Sequence, residues 1–204
     1  MSFPVVIFSG AEAEHRSDYA ATDQRWTLGQ KMVMADGRAY RFAKVGASTL
    51  VPGDILDGPA NITNHLTRNA VAAAVGATTI AASIGATASA VNQYRGGYAA
   101  IVAGASGGGY IYILNSALNI QTHAAAAGSD DLTATLATGE TLITTLVAAT
   151  HDVSFILNPY AGVIQSPITT SISVMQGVAE KATTTGQFGW IQTRGLCTVL
   201  SSGT

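Results

Sequence analysis

Side chains that alternate in hydrophobicity with a period of two dominate this chain, and they predict β-strands. Tyr110-Ile111-Tyr112-Ile113-Leu114 and Tyr98 to Val102 read as two strands joined by the loop Gly104-Ala105-Ser106-Gly107-Gly108-Gly109. Near the end, Phe188-Gly189-Trp190-Ile191-Gln192 places Phe188 and Trp190 on one strand face, because side chains two apart point the same way. Between Trp26 and Val45, Gln30 to Ala35 and Arg38 to Val45 flank Asp36-Gly37, a type I′ hairpin signal, and Tyr40 and Phe42 alternate with Arg41 and Lys44.

Weaker patterns fill the remainder. Val51-Pro52-Gly53-Asp54 predicts a Pro-Gly turn, and Gly76 to Ser83 a turn leading into a Thr/Ile strand. Leu132 to Leu136, Asp152 to Leu157, Ser171 to Gln176 and a strand pair over Phe188 to Leu200 complete the strand set. Val71 to Val75 fits a helix or a strand equally, and Glu140 to Ala149 is the best helix candidate of the second half. Residues 1–25 read as an extended N-terminal arm, and 26–204 as a β domain with a subdivision near residue 60. The expected fold is all-β, a short-stranded β-barrel or β-sandwich.

Charge changes the picture more than composition does. Only 11% of the 204 residues are charged, against roughly 25% in ordinary soluble domains. Thirteen of the 22 charged residues lie in positions 1–57, whereas 58–129 holds only Arg68 and Arg95. Depletion of charge marks interface cores rather than solvated surface, so the middle of the chain is expected in a core, a subunit interface, or both. A net charge of −2 with no clustered cations argues against direct nucleic-acid binding. The uncharged run Asn69 to Tyr94 is too rich in Ala and Gly to favour a membrane span, and the N-terminus lacks the positive region of a secretory signal. The lone Cys197 is expected to be a buried small hydrophobe in a protein made in a reducing cytoplasm.

Candidate chemistry is sparse. The glycine loop lacks the Lys-Ser/Thr of a phosphate-binding loop, and it leads into a strand-forming sequence. Gly104-Ala105-Ser106-Gly107-Gly108 matches a nucleophile elbow on paper, yet an elbow must open a helix. His15, His65, His123 and His151 have no metal-ligand spacing, and Asp54, Asp57, Asp130 and Asp131 lack the register of a calcium loop. The expectation is a protein with no catalytic residues, no metal and no cofactor.

Several motifs in order resemble small all-β virion proteins of tailed bacteriophages, in particular the capsid decoration (cement) type. They are Asp36-Gly37-Arg38-Ala39-Tyr40-Arg41-Phe42, Val51-Pro52-Gly53-Asp54-Ile55, Gly76-Ala77-Thr78-Thr79-Ile80, Gln93-Tyr94-Arg95-Gly96-Gly97-Tyr98, Asn158-Pro159-Tyr160-Ala161-Gly162-Val163 and Phe188-Gly189-Trp190-Ile191-Gln192. The resemblance implies a homo-oligomer, read as a trimer, that binds the major capsid protein on the outer head surface and stabilises the expanded shell. A tail, baseplate or fibre-associated β protein is the alternative. Tyr94, Tyr98, Tyr110, Tyr112, Tyr160, Phe188 and Trp190 are the expected structural and interface residues. The expected location is the virion, assembled in the host cytoplasm, with no membrane partner.

Overall fold

The computed structural model describes residues 6–8, 13–103, 109–167 and 173–200. The fold is all-β. In chain order the strands are β1 (Val6–Phe8), β2 (Asp18–Tyr19), β3 (Lys31–Val33), β4 (Ala39–Val45), β5 (Ile55–Asp57), β6 (Arg68–Asn69), β7 (Thr79–Ser83), β8 (Tyr98–Ala103), β9 (Ile111–Ile113), β10 (Asp131–Thr135), β11 (Asp152–Ile156), β12 (Ala161–Gln165), β13 (Met175–Ala179) and β14 (Phe188–Arg194). Two short 3₁₀ turns, Glu14–Arg16 and Thr63–His65, are the helical elements among the described residues. The chain forms two compact units, residues 1–60 with 159–204 and residues 61–158, so the second is an insertion between β5 and β12 of the first.

The first unit is a closed barrel. Strands β4, β12, β5, β13 and β14 neighbour one another in that order, and β14 pairs back onto β4 to close the ring. Opposite β14, the β4 register sets Phe42 against Trp190 and Ala43 against Gly189. Alternation then sends Ala43, Val45, Ile191, Val163, Leu56 and Ala179 into the barrel, a set of modest volume suited to the narrow interior of five strands. The opposite faces of β4 and β14 carry Tyr40, Phe42, Phe188 and Trp190, which join Met32, Met34 and Tyr19 in a second core outside the ring, with Trp26 and Leu28 packed against it. Phe42 stacks on Phe188 with centroids 5.8 Å apart and meets the edge of Trp190 at 5.2 Å. Both strands are thus covered on both faces, which explains why β4 is largely buried despite its alternating sequence.

Beyond the ring, β3 pairs with β4 as the sequence predicts, but the hairpin turn differs in type. Only Gly37 of the Asp36-Gly37 pair takes a positive φ, at 86°, and Gly37 N–H donates to the Met34 carbonyl at 3.0 Å. A type I′ turn needs positive φ at both central residues, so this connection is a longer loop closed by a glycine in the left-handed region. Strand β1 lies parallel to β3, and β2 pairs with β14 through Tyr19 and Phe188, so the described parts of the 1–25 stretch contribute strands to this sheet.

The inserted unit has a four-stranded sheet, β6-β11-β8-β9, and a two-stranded ribbon of β7 and β10. Inward side chains from both fill one core, with Ala99, Ile101, Tyr112, Val153 and Phe155 from the sheet and Ile80, Ala82, Leu132 and Ala134 from the ribbon. Gly97, just before β8, is required by close approach. A Cβ there would lie 2.3 Å from the Ile156 carbonyl oxygen.

Further sequence expectations differ from the structure. Residues 140–149 form bends and turns rather than a helix, and Leu142 and Leu146 N–H groups donate to the Ala77 and Ala73 carbonyls. Thr-rich sequence gives a helix little to gain over those pairings. The end of the chain holds one strand, β14, because Gly195 at φ 95° turns the backbone away, and 196–200 run on without strand pairing. Cys197 is half-buried rather than enclosed. In the 171–176 stretch the described strand starts only at Met175, and 171–172 lie outside the described residues, as do the glycine-loop positions 104–108.

Candidate functional site

The seven aromatic residues singled out by sequence divide between the two units and between core and surface. Tyr94, Tyr112, Phe188 and Trp190 are buried. Tyr98 and Tyr160 are half-buried, and Tyr110 is 40% exposed. Each enclosed polar tip has a hydrogen-bond partner, as buried Tyr and Trp require. The Trp190 indole donates to Glu14 Oε1 at 3.1 Å, and the Tyr112 hydroxyl accepts from Ile143 N–H at 3.1 Å. Tyr160 lies beneath the Arg41 guanidinium, 5.5 Å from the ring centre. Four of the seven therefore build the core outside the ring and the core of the inserted unit, and Tyr110 is the most exposed member of the set.

The sequence reading missed the aliphatic residues beside Tyr110. In the β8–β9 pair, Ala100 faces Ile111 and Tyr98 faces Ile113, so these four project from the side of the sheet opposite the core. Val102 follows on the same face of β8. Val102 is 47% exposed, Ile111 65% and Ile113 45%. Strand β9 is the sheet edge, and only part of it is covered, where Ile113 N–H donates to Glu140 at 3.2 Å and its carbonyl accepts from Ala137 at 2.8 Å. An uncharged aliphatic face on an edge strand can bury itself against another protein surface. The signal was present in sequence as Tyr-Ile-Tyr-Ile. Alternation showed two faces but not which one the core would take.

Two polar clusters are the other candidates. In the first unit, Tyr40 donates to Glu180 at 3.0 Å, Arg38 donates to the Tyr40 hydroxyl at 2.9 Å and to Asp36 at 2.6 Å, and His15 Nε2 lies 3.4 Å from Glu180. Burial, followed by the Glu180 hydrogen bond and charge, pushes the Tyr40 phenol well above its ordinary range, so it stays protonated as a donor. His15 is 2% exposed, which leaves the imidazole no open face toward a substrate. The cluster braces the first 3₁₀ turn against β4 and the end of β13.

In the inserted unit, Tyr94 sits between His65 and His123, with ring centres 5.7 Å from each. His65 Nε2 donates to the Thr87 carbonyl at 2.7 Å, and Tyr94 hydrogen-bonds its Nδ1. All three residues are enclosed.

Among the described residues no group of three His, Cys, Asp or Glu side chains is placed to hold a metal ion. Asp54 is a buried acceptor for Val51 N–H at 2.7 Å and Gln165 Nε2 at 3.0 Å, while Asp131 bonds the Ser83 hydroxyl. No described helix is long and apolar enough to cross a membrane. After the glycine loop the chain enters β9, not the helix a nucleophile elbow requires. Comparison with protein families, curated proteins and solved structures gave no match to this chain.

Proposed function

We propose that the chain is a structural virion protein of the capsid decoration type, which self-associates and binds the outer surface of the major capsid lattice. The observation that carries an assembly role is the aliphatic face of β8 and β9, with Val102, Ile111 and Ile113 each close to half exposed or more. It lies in a stretch whose only charges are Arg68 and Arg95. The virion assignment rests on the collinear motifs that resemble phage decoration proteins. Behind that face, the sheet and ribbon of the inserted unit pack around one shared core.

Such a protein acts by mass action. Binding only the expanded lattice shifts the shell toward that state, and about 1.4 kcal/mol per copy is a factor of ten per site. The decisive experiment compares particles with and without the protein. The expected result is shells that form but tolerate less heat and osmotic shock, with resistance restored saturably when purified protein is added. Unchanged shell stability with loss of host adsorption would overturn this reading in favour of a tail or fibre protein.

A further inference from the structure

Both ring nitrogens of His123 are committed to partners that allow only one protonation state. His123 Nε2 accepts from the backbone N–H of Tyr94 at 2.9 Å, and His123 Nδ1 faces the Ala124 carbonyl at 2.7 Å. A peptide N–H can only donate and a carbonyl can only accept, so the ring is held as the neutral Nδ1–H tautomer. His123 is 3% exposed. Protonation at Nε2 would set two N–H groups against each other in a buried site, where an unmet donor is costly. His65 differs in its partner, since its Nδ1 faces the Tyr94 hydroxyl, a group that can donate or accept.

The groups facing His123 offer a new cation no compensation. They are Arg95 and His65, both of which oppose it, together with Tyr94 and the uncharged Asn92 and Gln121. Burial, offset in part by the Ala124 hydrogen bond and reinforced by Arg95, holds the imidazole below its usual range. His151 in the same unit also accepts a backbone donor, Val147 N–H at 3.1 Å on Nδ1. Asp152 beside it in sequence and Arg68 across the β6–β11 pair are the charged residues on the strands next to it. In the first unit the arrangement is opposite, since protonated His15 would face the Glu180 carboxylate at 3.4 Å.

His123 also ties a local network together. Asn92 N–H donates to its carbonyl at 3.2 Å, Thr122 N–H donates to the Asn92 side chain at 2.8 Å, and Ser89 pairs with Ala126. We propose that His123 is an acid-sensitive latch whose protonation breaks its bond to Tyr94 and frees the 89–97 and 120–126 segments from the inserted unit while the barrel stays closed. The sign follows from linkage. A base whose folded pKa is depressed contributes stability that is complete above the unfolded value of about 6.5 and is lost as pH falls from there through the folded value. Carboxylates titrate near 4, so a window between about pH 6.5 and 5 belongs to histidine.

The test is hydrogen exchange of the full chain at pH 7.5 and pH 5, each corrected for intrinsic rates, on peptides from the two segments and from β4 and β14. At least a tenfold loss of protection in 89–97 and 120–126 is expected at low pH, with β4 and β14 unchanged. His123→Gln keeps an acceptor near the Nε2 position and cannot titrate, so it should abolish the loss. Equal protection at both pH values, or the same opening in H123Q, overturns the latch. Should H123Q fail to fold, proton NMR titration of the His123 ring decides: a midpoint below about 6.5 supports the latch, and one at or above it overturns it.

Discussion

The Trp190 indole N–H donates to the Glu14 carboxylate at 3.1 Å, across 176 positions of sequence. The same oxygen accepts the Tyr19 hydroxyl at 2.5 Å. One carboxylate thus pins the first 3₁₀ turn and β2 to the outer face of the barrel. Trp190→Ala should cost about 3–5 kcal/mol by loss of packing against Phe42 and Trp26. Trp190→Phe should cost less in packing but leave Glu14 short of one donor. Urea unfolding midpoints of the two variants check this ordering, and a normally stable Trp190→Ala protein that had lost only partner binding would make Trp190 a contact residue instead.

Gly97→Ala should destabilise the inserted unit by about 1–3 kcal/mol, because the new methyl meets the Ile156 carbonyl and overpacks the β8–β11 approach. By contrast Gly76→Ala meets open space, and its cost comes from the positive φ of 84°. Thermal unfolding of both variants separates steric from conformational strain.

Tyr19, Tyr40 and Tyr94 are all pushed above the ordinary phenol value, chiefly by burial. A raised phenol pKa contributes stability that is fully present below about 10 and is lost as pH rises through the folded value. Absorbance titration at alkaline pH should therefore show part of the tyrosine signal delayed until the fold is lost, whereas the chain in urea titrates in one step. A single step in the folded protein would show these phenols to be accessible.

Ile111→Glu, at a site 65% exposed, should change folding stability by no more than about 0.5 kcal/mol. It should nevertheless weaken self-association or shell binding, read by sedimentation of the free protein and co-sedimentation with shells. Wild-type association in this variant would remove the β8–β9 face from the assembly role.

Strand periodicity located the long elements because residues of unlike type alternate along them, whether one face or both is buried. The hairpin of β3 and β4, the β8–β9 pair and the start of β14 at Phe188 were legible for that reason, as was the shared face of Phe188 and Trp190. Strands β2 and β6 were not, since two residues such as Asp18 and Tyr19 carry no period. Glu140 to Ala149 misled because its leucines, spaced by four, suit a helix, while the structure uses Leu142 and Leu146 to anchor a bent segment against Ala73 and Ala77.

Local sequence, then, determined the β class, the Gly37 and Pro52-Gly53 turns, and the poverty of charge in 58–129. Only the tertiary structure decided that β14 returns to β4 to close a barrel and that 61–158 is inserted into it. It also decided that Ile111 and Ile113 point outward while Tyr112 points in. The physical reason is the same throughout. Alternation specifies that a strand has two unlike faces, but which face is buried, and which distant strand supplies the missing hydrogen bonds, depends on partners more than 140 residues away, such as Trp190 for Phe42.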